Sequence, residues 1–156
     1  MSEQIVELDL GCRPEAAVSG AVLVSSEYST FLTFNAMRPT GDGSKLESAG
    51  HAVAEFPLCH ITKFGYPNDE ARWGIPRYQV TSYGIYEVKN SEWIPEIVRL
   101  NRYRFPDTSE DTSTRHFLIA FHDSTFECLA DDIKIELTAE PYERGFERIS
   151  VRLASE

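Results

Sequence analysis

The stretch RHFLIAFHDSTFECLA, residues 115–130, decides the fold because apolar and polar side chains alternate on both sides of a short polar break. A period of two is typical of β-strands, since successive side chains point to opposite faces of a sheet. The stretch therefore predicts a hairpin with a two-residue turn at Asp123-Ser124. In that register Phe121 lies opposite Phe126.

We expect one face of this hairpin to be buried and the other to carry polar groups. The alternation assigns five residues to the buried face: Phe117, Ile119, Phe121, Phe126 and Cys128. It assigns His116, His122 and Glu127 to the opposite face.

Further period-two patterns predict strands over residues 6–10, 18–24, 28–37, 51–56, 58–64, 78–88, 133–137 and 148–153. Proline, glycine and polar residues predict loops over residues 38–50, 65–77 and 107–114. One helix is predicted near residues 91–103, capped by Asn90 or Ser91, with Trp93, Ile97 and Leu100 facing a sheet. The fold class is therefore α+β with a predominantly antiparallel sheet, either a sandwich or a curved sheet. We expect a single domain spanning residues 1–156.

Composition restricts the classes of partner. The 156 residues include 15 basic and 25 acidic side chains, giving a formal net charge of −10. This balance argues against DNA or RNA, because phosphate binding needs an excess of lysine and arginine. No apolar run is long enough for a membrane helix, and the first residues show no signal-peptide pattern. A basic protein surface or a second copy of the chain remains a candidate partner.

The three cysteines, Cys12, Cys59 and Cys128, have no metal-site spacing. Free and mostly buried thiols in a reducing cytoplasm are the expected state. Cys59 and Cys128 lie in apolar patterns, which favours an inert role in the core.

Standard motifs of nucleotide enzymes, α/β-hydrolases and zinc proteases are absent from the sequence. The densest polar cluster contains His122, Asp123, Thr125 and Glu127, which could supply a base, an orienting carboxylate and a nucleophile. The alternative is structural: a turn at Asp123, followed by Glu127 as a solvated strand residue.

A second polar cluster is Asn68-Asp69-Glu70. It could gather oxygen ligands for a cation, receive a basic side chain, or simply form a turn with an exposed acidic tip. We expect it to lie near His122 and Asp123. Carboxylates brought together there would repel one another and raise their pKa values.

Three stretches together resemble a group of small uncharacterised bacterial proteins: FGYPNDEA at 64–71, EVKNSEWI at 87–94 and HFLIAFHDSTFEC at 116–128. The group tends to have Gly-His-Pro after the first motif, where this chain has Gly74-Ile75-Pro76. The resemblance implies a soluble bacterial protein and carries no particular activity with it.

Two function hypotheses follow. The first is a small cytoplasmic binding or regulatory protein without catalytic activity or a cofactor. The second is a hydrolase or metal-assisted enzyme built on His122, Asp123 and Glu127, with Asp69 and Glu70 nearby. The two differ in geometry, because an enzyme needs these side chains to converge.

Overall fold

The computed structural model describes residues 1–78, 80, 82–110 and 113–156. In these residues the chain forms two antiparallel sheets of five strands each. The front sheet has the order β1-β7-β8-β9-β6. The back sheet has the order β10-β5-β4-β2, and β3 also pairs with β4. The predicted α+β class with mainly antiparallel sheets is confirmed.

The strands have the following bounds: β1 Gln4–Glu7, β2 Arg13–Pro14, β3 Val22–Ser25, β4 Thr30–Pro39, β5 Leu46–Glu55, β6 Ile61–Gly65, β7 Gly84–Lys89, β8 Arg115–Ala120, β9 Thr125–Ala130 and β10 Lys134–Thr138. Strands β4 and β5 extend into residues 38–50, where the sequence predicted a loop. The predicted elements over residues 78–88 and 107–114 include Gln79, Thr81, Asp111 and Thr112, which lie outside the described residues.

The core lies between the two sheets. The five hairpin residues predicted to be buried are at most 1% exposed, so that prediction is confirmed. They pack with the inner face of the back sheet, where Phe34 meets Phe121 with ring centroids 5.4 Å apart. Alternation also places His116 and Glu127 on the outer face of the front sheet, as predicted.

The hairpin turn lies one residue earlier than predicted. Ile119 pairs with Phe126 and Ala120 with Thr125. The Phe121 amide donates to the Ser124 carbonyl at 3.0 Å, so the turn is centred on His122-Asp123. The partner of each residue therefore shifts by two positions, which leaves the strand side chains on their predicted faces. His122, predicted on the outer face of a strand, lies in the turn instead. Without a glycine, the local sequence does not fix a two-residue turn strongly.

The described residues form three helices, whereas the sequence predicted one. They are α1 Asp69–Gly74, α2 Trp93–Asn101 and α3 Glu143–Leu153. Helix α1 lies inside the predicted loop 65–77. Helix α3 covers residues 148–153, so the predicted strand there is wrong. Ile149 and Leu153 are four residues apart, a spacing that fits one face of a helix as well as one face of a strand. Ile149 packs on Phe31 and Val53 of the back sheet, while Val151 is 71% exposed.

Helix α2 is shorter than predicted and is rotated. Trp93 and Val98 are buried, but Leu100 is 50% exposed, so its predicted contact with the sheet is wrong. The residue that precedes the helix is Glu92, which makes no side-chain cap, so the predicted cap at Asn90 or Ser91 is wrong. The Ser91 hydroxyl accepts a hydrogen bond from the Trp93 amide at 3.2 Å, one residue further out.

Candidate functional site

Helix α1 forms because Asn68 caps it. The Asn68 side chain accepts a hydrogen bond from the Ala71 amide at 3.1 Å. Asp69 and Glu70 occupy the first turn, where the helix dipole favours negative charge. The second polar cluster of the sequence is therefore a helix start, and its first acidic residue, Asp69, is buried.

This helix start contacts the hairpin turn. The Asp69 amide donates to the His122 carbonyl at 2.9 Å. The Thr125 hydroxyl donates to the Pro67 carbonyl at 2.7 Å. The expected contact between the two polar clusters is thus present, and part of it runs through backbone groups.

Arg72 fixes the contact from inside. Its guanidinium is buried and donates to the Phe121 carbonyl at 2.6 Å, the Ser124 carbonyl at 2.9 Å and the Thr125 hydroxyl at 2.7 Å. Burial lowers the pKa of Arg72, and the nearby charge of Asp69 opposes that shift. Because Arg72 binds carbonyls on both sides of His122-Asp123, it accounts for the observed position of the turn.

We define the α1–turn surface by the residues that meet here: Asn68, Asp69, Glu70, Tyr83, His122 and Asp123. The Tyr83 hydroxyl donates to Asp69 Oδ2 at 2.6 Å, and His122 Nε2 lies 3.9 Å from the same oxygen. The rings of Tyr83 and His122 are stacked. His122 Nδ1 lies 3.0 Å from Asp123 Oδ1, and the Asp123 side chain is 88% exposed.

The charge of Asp69 is stabilised. The hydrogen bond from Tyr83 lowers the pKa of Asp69, and the charges of His122 and Arg72 act in the same direction against a burial effect. The same hydrogen bond raises the pKa of Tyr83. The expectation that repulsion would raise the carboxylate pKa values is therefore wrong for Asp69, because hydrogen-bond donors surround it.

Glu127 belongs to a separate, buried cluster. It is 2% exposed, so its interpretation as a solvated residue is wrong. Its carboxylate lies 2.8 Å from His116 Nε2, accepts from the Tyr78 hydroxyl at 2.5 Å and pairs with Arg77 at 3.1 Å. Glu127 therefore cannot act with His122 as the enzyme hypothesis required.

This buried network, defined as Tyr78, Ser91, His116 and Glu127 with Arg77 at its edge, connects α2 to the front sheet. His116 Nδ1 lies 2.8 Å from the Ser91 hydroxyl. A carboxylate only accepts hydrogen bonds, so His116 Nε2 is the donor to Glu127. The Ser91–His116–Glu127 chain thus has the order of nucleophile, base and orienting carboxylate.

Donors also control the ionisation of Glu127. Burial alone would raise the pKa of Glu127, but hydrogen bonds from His116 and Tyr78 and the charge of Arg77 hold it below its ordinary value. In return, burial and the bond to Glu127 raise the pKa of Tyr78 to about 12. At neutral pH the network therefore holds an ionised glutamate and a neutral tyrosine.

Sequence reasoning missed Arg72, Tyr83, Ser91 and Tyr78 as members of these clusters. A signal for Arg72 was present: an asparagine followed by two acidic residues marks a helix start. On such a helix Arg72 falls three residues after Asp69, on the same side. Tyr78 and Tyr83 carry no local signal, since only tertiary packing brings them to their carboxylates.

Comparison with models of protein families, with curated proteins and with solved structures found no match. Among the described residues, no three histidine, cysteine or acidic side chains are grouped so that they could hold a metal ion. No helix in the described part of the chain is long and apolar enough to cross a membrane.

Proposed function

We propose that this protein is a small binding protein of the bacterial cytoplasm, without catalytic activity of its own, that binds a basic segment of a partner protein through the α1–turn surface. The observation that carries the proposal is the contact between Asp69, His122 and Tyr83, with Asp123 and Glu70 exposed beside it. The net charge of −10 would steer a basic partner toward the protein.

The surface is held rigidly. Hydrogen bonds join α1 to the turn, and they are donated by the Arg72 guanidinium, the Thr125 hydroxyl and the Asp69 amide. A preorganised surface loses less conformational entropy when a partner binds. The groups left facing solvent are carboxylates and a stacked pair of aromatic rings.

The chemistry of these exposed groups suits a guanidinium ion. Arginine forms bidentate hydrogen bonds with carboxylates and also stacks on aromatic faces. Asp123 and Glu70 would supply the carboxylates, while Tyr83 and His122 supply the flat rings. A short arginine-rich segment is therefore the partner chemistry that we propose.

Titration with an arginine-rich nonapeptide, followed by backbone amide NMR at about 0.15 M salt, tests the proposal. We expect shifts at residues 69–70 and 122–123. A variant with Glu70→Gln and Asp123→Asn should weaken binding by up to about thirtyfold, since each of the two exposed ion pairs contributes at most about 1 kcal/mol.

The matched control carries Asp107→Asn and Glu110→Gln, which neutralise two exposed acidic residues elsewhere. Both variants change the net charge equally. If they weaken binding to the same extent, the peptide senses only overall charge and the proposed site is wrong. Sedimentation of the free protein tests self-association, and a dimer lost with Asp123→Asn would favour a second copy as the partner.

A hydrolase is the second candidate function, favoured by the Ser91–His116–Glu127 chain. Two observations argue against a hydrolase. All three residues are buried, and the Ser91 hydroxyl already accepts a hydrogen bond from the Trp93 amide. A fluorophosphonate probe decides between the two functions. We expect no labelling; labelling that is lost in Ser91→Ala but kept in Ser109→Ala would favour the hydrolase.

A further inference from the structure

Helix α2 ends in a basic stretch, residues 99–105, which we define as the arginine segment. It reads Arg-Leu-Asn-Arg-Tyr-Arg-Phe, and every residue in it is exposed. Of the eight arginines elsewhere in the chain, seven pair with a carboxylate and the eighth is the buried Arg72. In the described part of the chain, no carboxylate lies within ion-pairing distance of Arg99, Arg102 or Arg104.

The arginine segment also exposes large apolar side chains, namely Leu100, Tyr103 and Phe105. Isolated apolar residues are common on protein surfaces, but an apolar group rimmed by charged residues is typical of an interaction surface. Arginine and tyrosine are also the residue types that contribute most often to the energetic centre of an interface. The segment therefore has the composition of a binding surface for an acidic, aromatic partner.

Hydrogen bonds hold the arginine segment in one conformation. The Arg102 amide donates to the Val98 carbonyl at 3.1 Å, and the Phe105 amide donates to the Asn101 carbonyl at 3.0 Å. Arg102 Nε donates to the Thr108 carbonyl at 3.0 Å, which joins this side chain to the loop that follows. A segment that is already ordered loses less conformational entropy when it binds.

The α1–turn surface has the complementary chemistry. Glu70 and Asp123 present carboxylates there, and Tyr83 stacks on His122. Trp73 is exposed three residues after Glu70 and so lies on the same side of α1. Because guanidinium groups pair with carboxylates and stack on aromatic rings, the arginine segment fits this surface.

The two surfaces lie at opposite ends of the front sheet. His116 pairs with Leu129 toward one end of the β8–β9 hairpin, and Ala120 pairs with Thr125 at the other end, beside the turn. Val98 of α2 lines a small cavity together with Leu129, so the arginine segment begins at the end away from the turn. The extended strand between these pairs measures about 13 Å. The segment therefore cannot reach the α1–turn surface of its own chain.

We propose that the arginine segment of one molecule binds the α1–turn surface of a second copy of this chain, so that copies associate head to tail. The inference rests on the proposed function and names the partner of that same surface. A head-to-tail contact leaves one surface free at each end, so it continues into a ring or an open chain. A contact between one short segment and one helix start is small, and small interfaces are weak and transient.

The net charge of −10 makes whole molecules repel one another, but salt limits the range of this repulsion. At about 0.15 M salt the Debye length is about 8 Å, so charges away from the contact are largely screened. The opposite charges that meet inside the contact are closer than this and still attract. The experiment is therefore carried out at about 0.15 M salt.

Sedimentation equilibrium of the whole protein, from about 10 µM to about 1 mM, measures the association. We expect the average mass to rise with concentration. A variant with Arg99→Gln and Arg104→Gln should weaken association by up to about thirtyfold, since each exposed ion pair contributes up to about fivefold. The matched control, Arg38→Gln with Arg144→Gln, neutralises two exposed arginines of β4 and α3 and should associate as the parent protein does.

Mixing two variants tests the head-to-tail geometry directly. The arginine variant keeps an intact α1–turn surface, and the variant with Glu70→Gln and Asp123→Asn keeps an intact arginine segment. Each alone should associate weakly, whereas an equal mixture should form dimers with the affinity of the parent protein and stop there. When the arginine variant is isotope-labelled, its amide shifts on mixing should lie at residues 69–70 and 122–123.

The results separate this inference from the function on which it rests. If the arginine-rich nonapeptide binds at residues 69–70 and 122–123 but the parent protein stays monomeric at about 1 mM, the proposed function stands and this inference is wrong. If the nonapeptide does not bind there, both are wrong. Equal weakening by the arginine variant and its control, or a mixture that associates no better than either variant alone, would also overturn the head-to-tail contact.

Discussion

The α1–turn surface and the buried network both lie on the outer side of the front sheet, and both pair a histidine with a carboxylate. At the surface, His122 and Asp123 lie in a turn, and their side chains are 45% and 88% exposed. In the network, His116 and Glu127 lie on paired strands, with side chains that are 0% and 3% exposed. A histidine–carboxylate pair is thus exposed to solvent in one place and buried inside the fold in the other.

The comparison shows that the surroundings of a histidine–carboxylate pair decide its energetic role. An exposed pair is screened by water and contributes little to stability. A buried pair that loses one member leaves an uncompensated charge or donor, which is costly. Mutations at equivalent positions of the two clusters therefore should have very different effects.

The largest effect is expected for Glu127→Ala. It removes the acceptor of His116, Tyr78 and Arg77, so the free energy of unfolding should fall by about 3–5 kcal/mol. Asp123→Ala is the matched change at the surface and should alter it by less than about 0.5 kcal/mol. Urea unfolding of both variants measures the difference. Equal costs would contradict the division into a structural cluster and an exposed one.

The next effect concerns Arg72, which supports the surface from beneath. Arg72→Ala leaves the Phe121 carbonyl without this donor, which should cost about 1–3 kcal/mol, whereas the Ser124 carbonyl still accepts from the Phe121 amide. The contact between Asp69 and His122 should loosen, which backbone amide shifts at these residues would report. Unchanged shifts would mean that α1 is held by its other contacts.

A smaller effect is expected for Ser91→Ala, at about 1–2 kcal/mol, because the hydrogen bonds of its hydroxyl with the Trp93 amide and with His116 are lost. The measurement is thermal unfolding, with exposed Ser109→Ala as the control. A cost equal to that of Glu127→Ala would contradict the view that the buried carboxylate, and not the Ser91 hydroxyl, dominates the stability of the network.

The most gradual effect is a dependence on pH. The pKa of Glu127 is lower in the folded protein than in the unfolded chain, so its ionised form stabilises the fold. This contribution is present above the unfolded pKa of about 4.3 and is lost as pH falls through the lower folded value. The Glu127→Gln variant has no carboxylate to protonate. Its free energy of unfolding should therefore fall less steeply than that of the parent protein as the pH is lowered. Parallel acid transitions would contradict the proposed ionisation.

The sequence predicted some features of these regions correctly for a clear physical reason. Alternation in the hairpin fixed the inner face, since a strand has only two faces and one of them must be apolar. That rule holds although the turn lies one residue earlier than predicted. Each cross-strand partner shifts by two positions, and a shift of two keeps a residue on the same face. The rule fails for residues 148–153, where Ile149 and Leu153 fit a strand and a helix equally well and Val151, which fits only the strand, is exposed on α3.

The candidate site was predicted in outline only. The proximity of Asp69 to His122 was expected because Tyr66 and Trp73 would anchor the loop near the end of the hairpin. That reason is wrong, since the two aromatic residues are 83% and 64% exposed, and Arg72 and the Asp69 amide make the contact instead. The sequence did not indicate that Glu127 lies in a different cluster from His122. Alternation gives the face of Glu127, but it does not reveal that Tyr78, Arg77 and His116 bury its carboxylate.

The sequence by itself determined the antiparallel architecture, the apolar faces of its central hairpin and the net charge of −10. Each of these depends on local order or on composition. The tertiary structure alone decided which carboxylate is buried, and that Arg72 joins α1 to the turn. These pairings link residues far apart in the chain, and their free energies depend on burial, which no local pattern encodes.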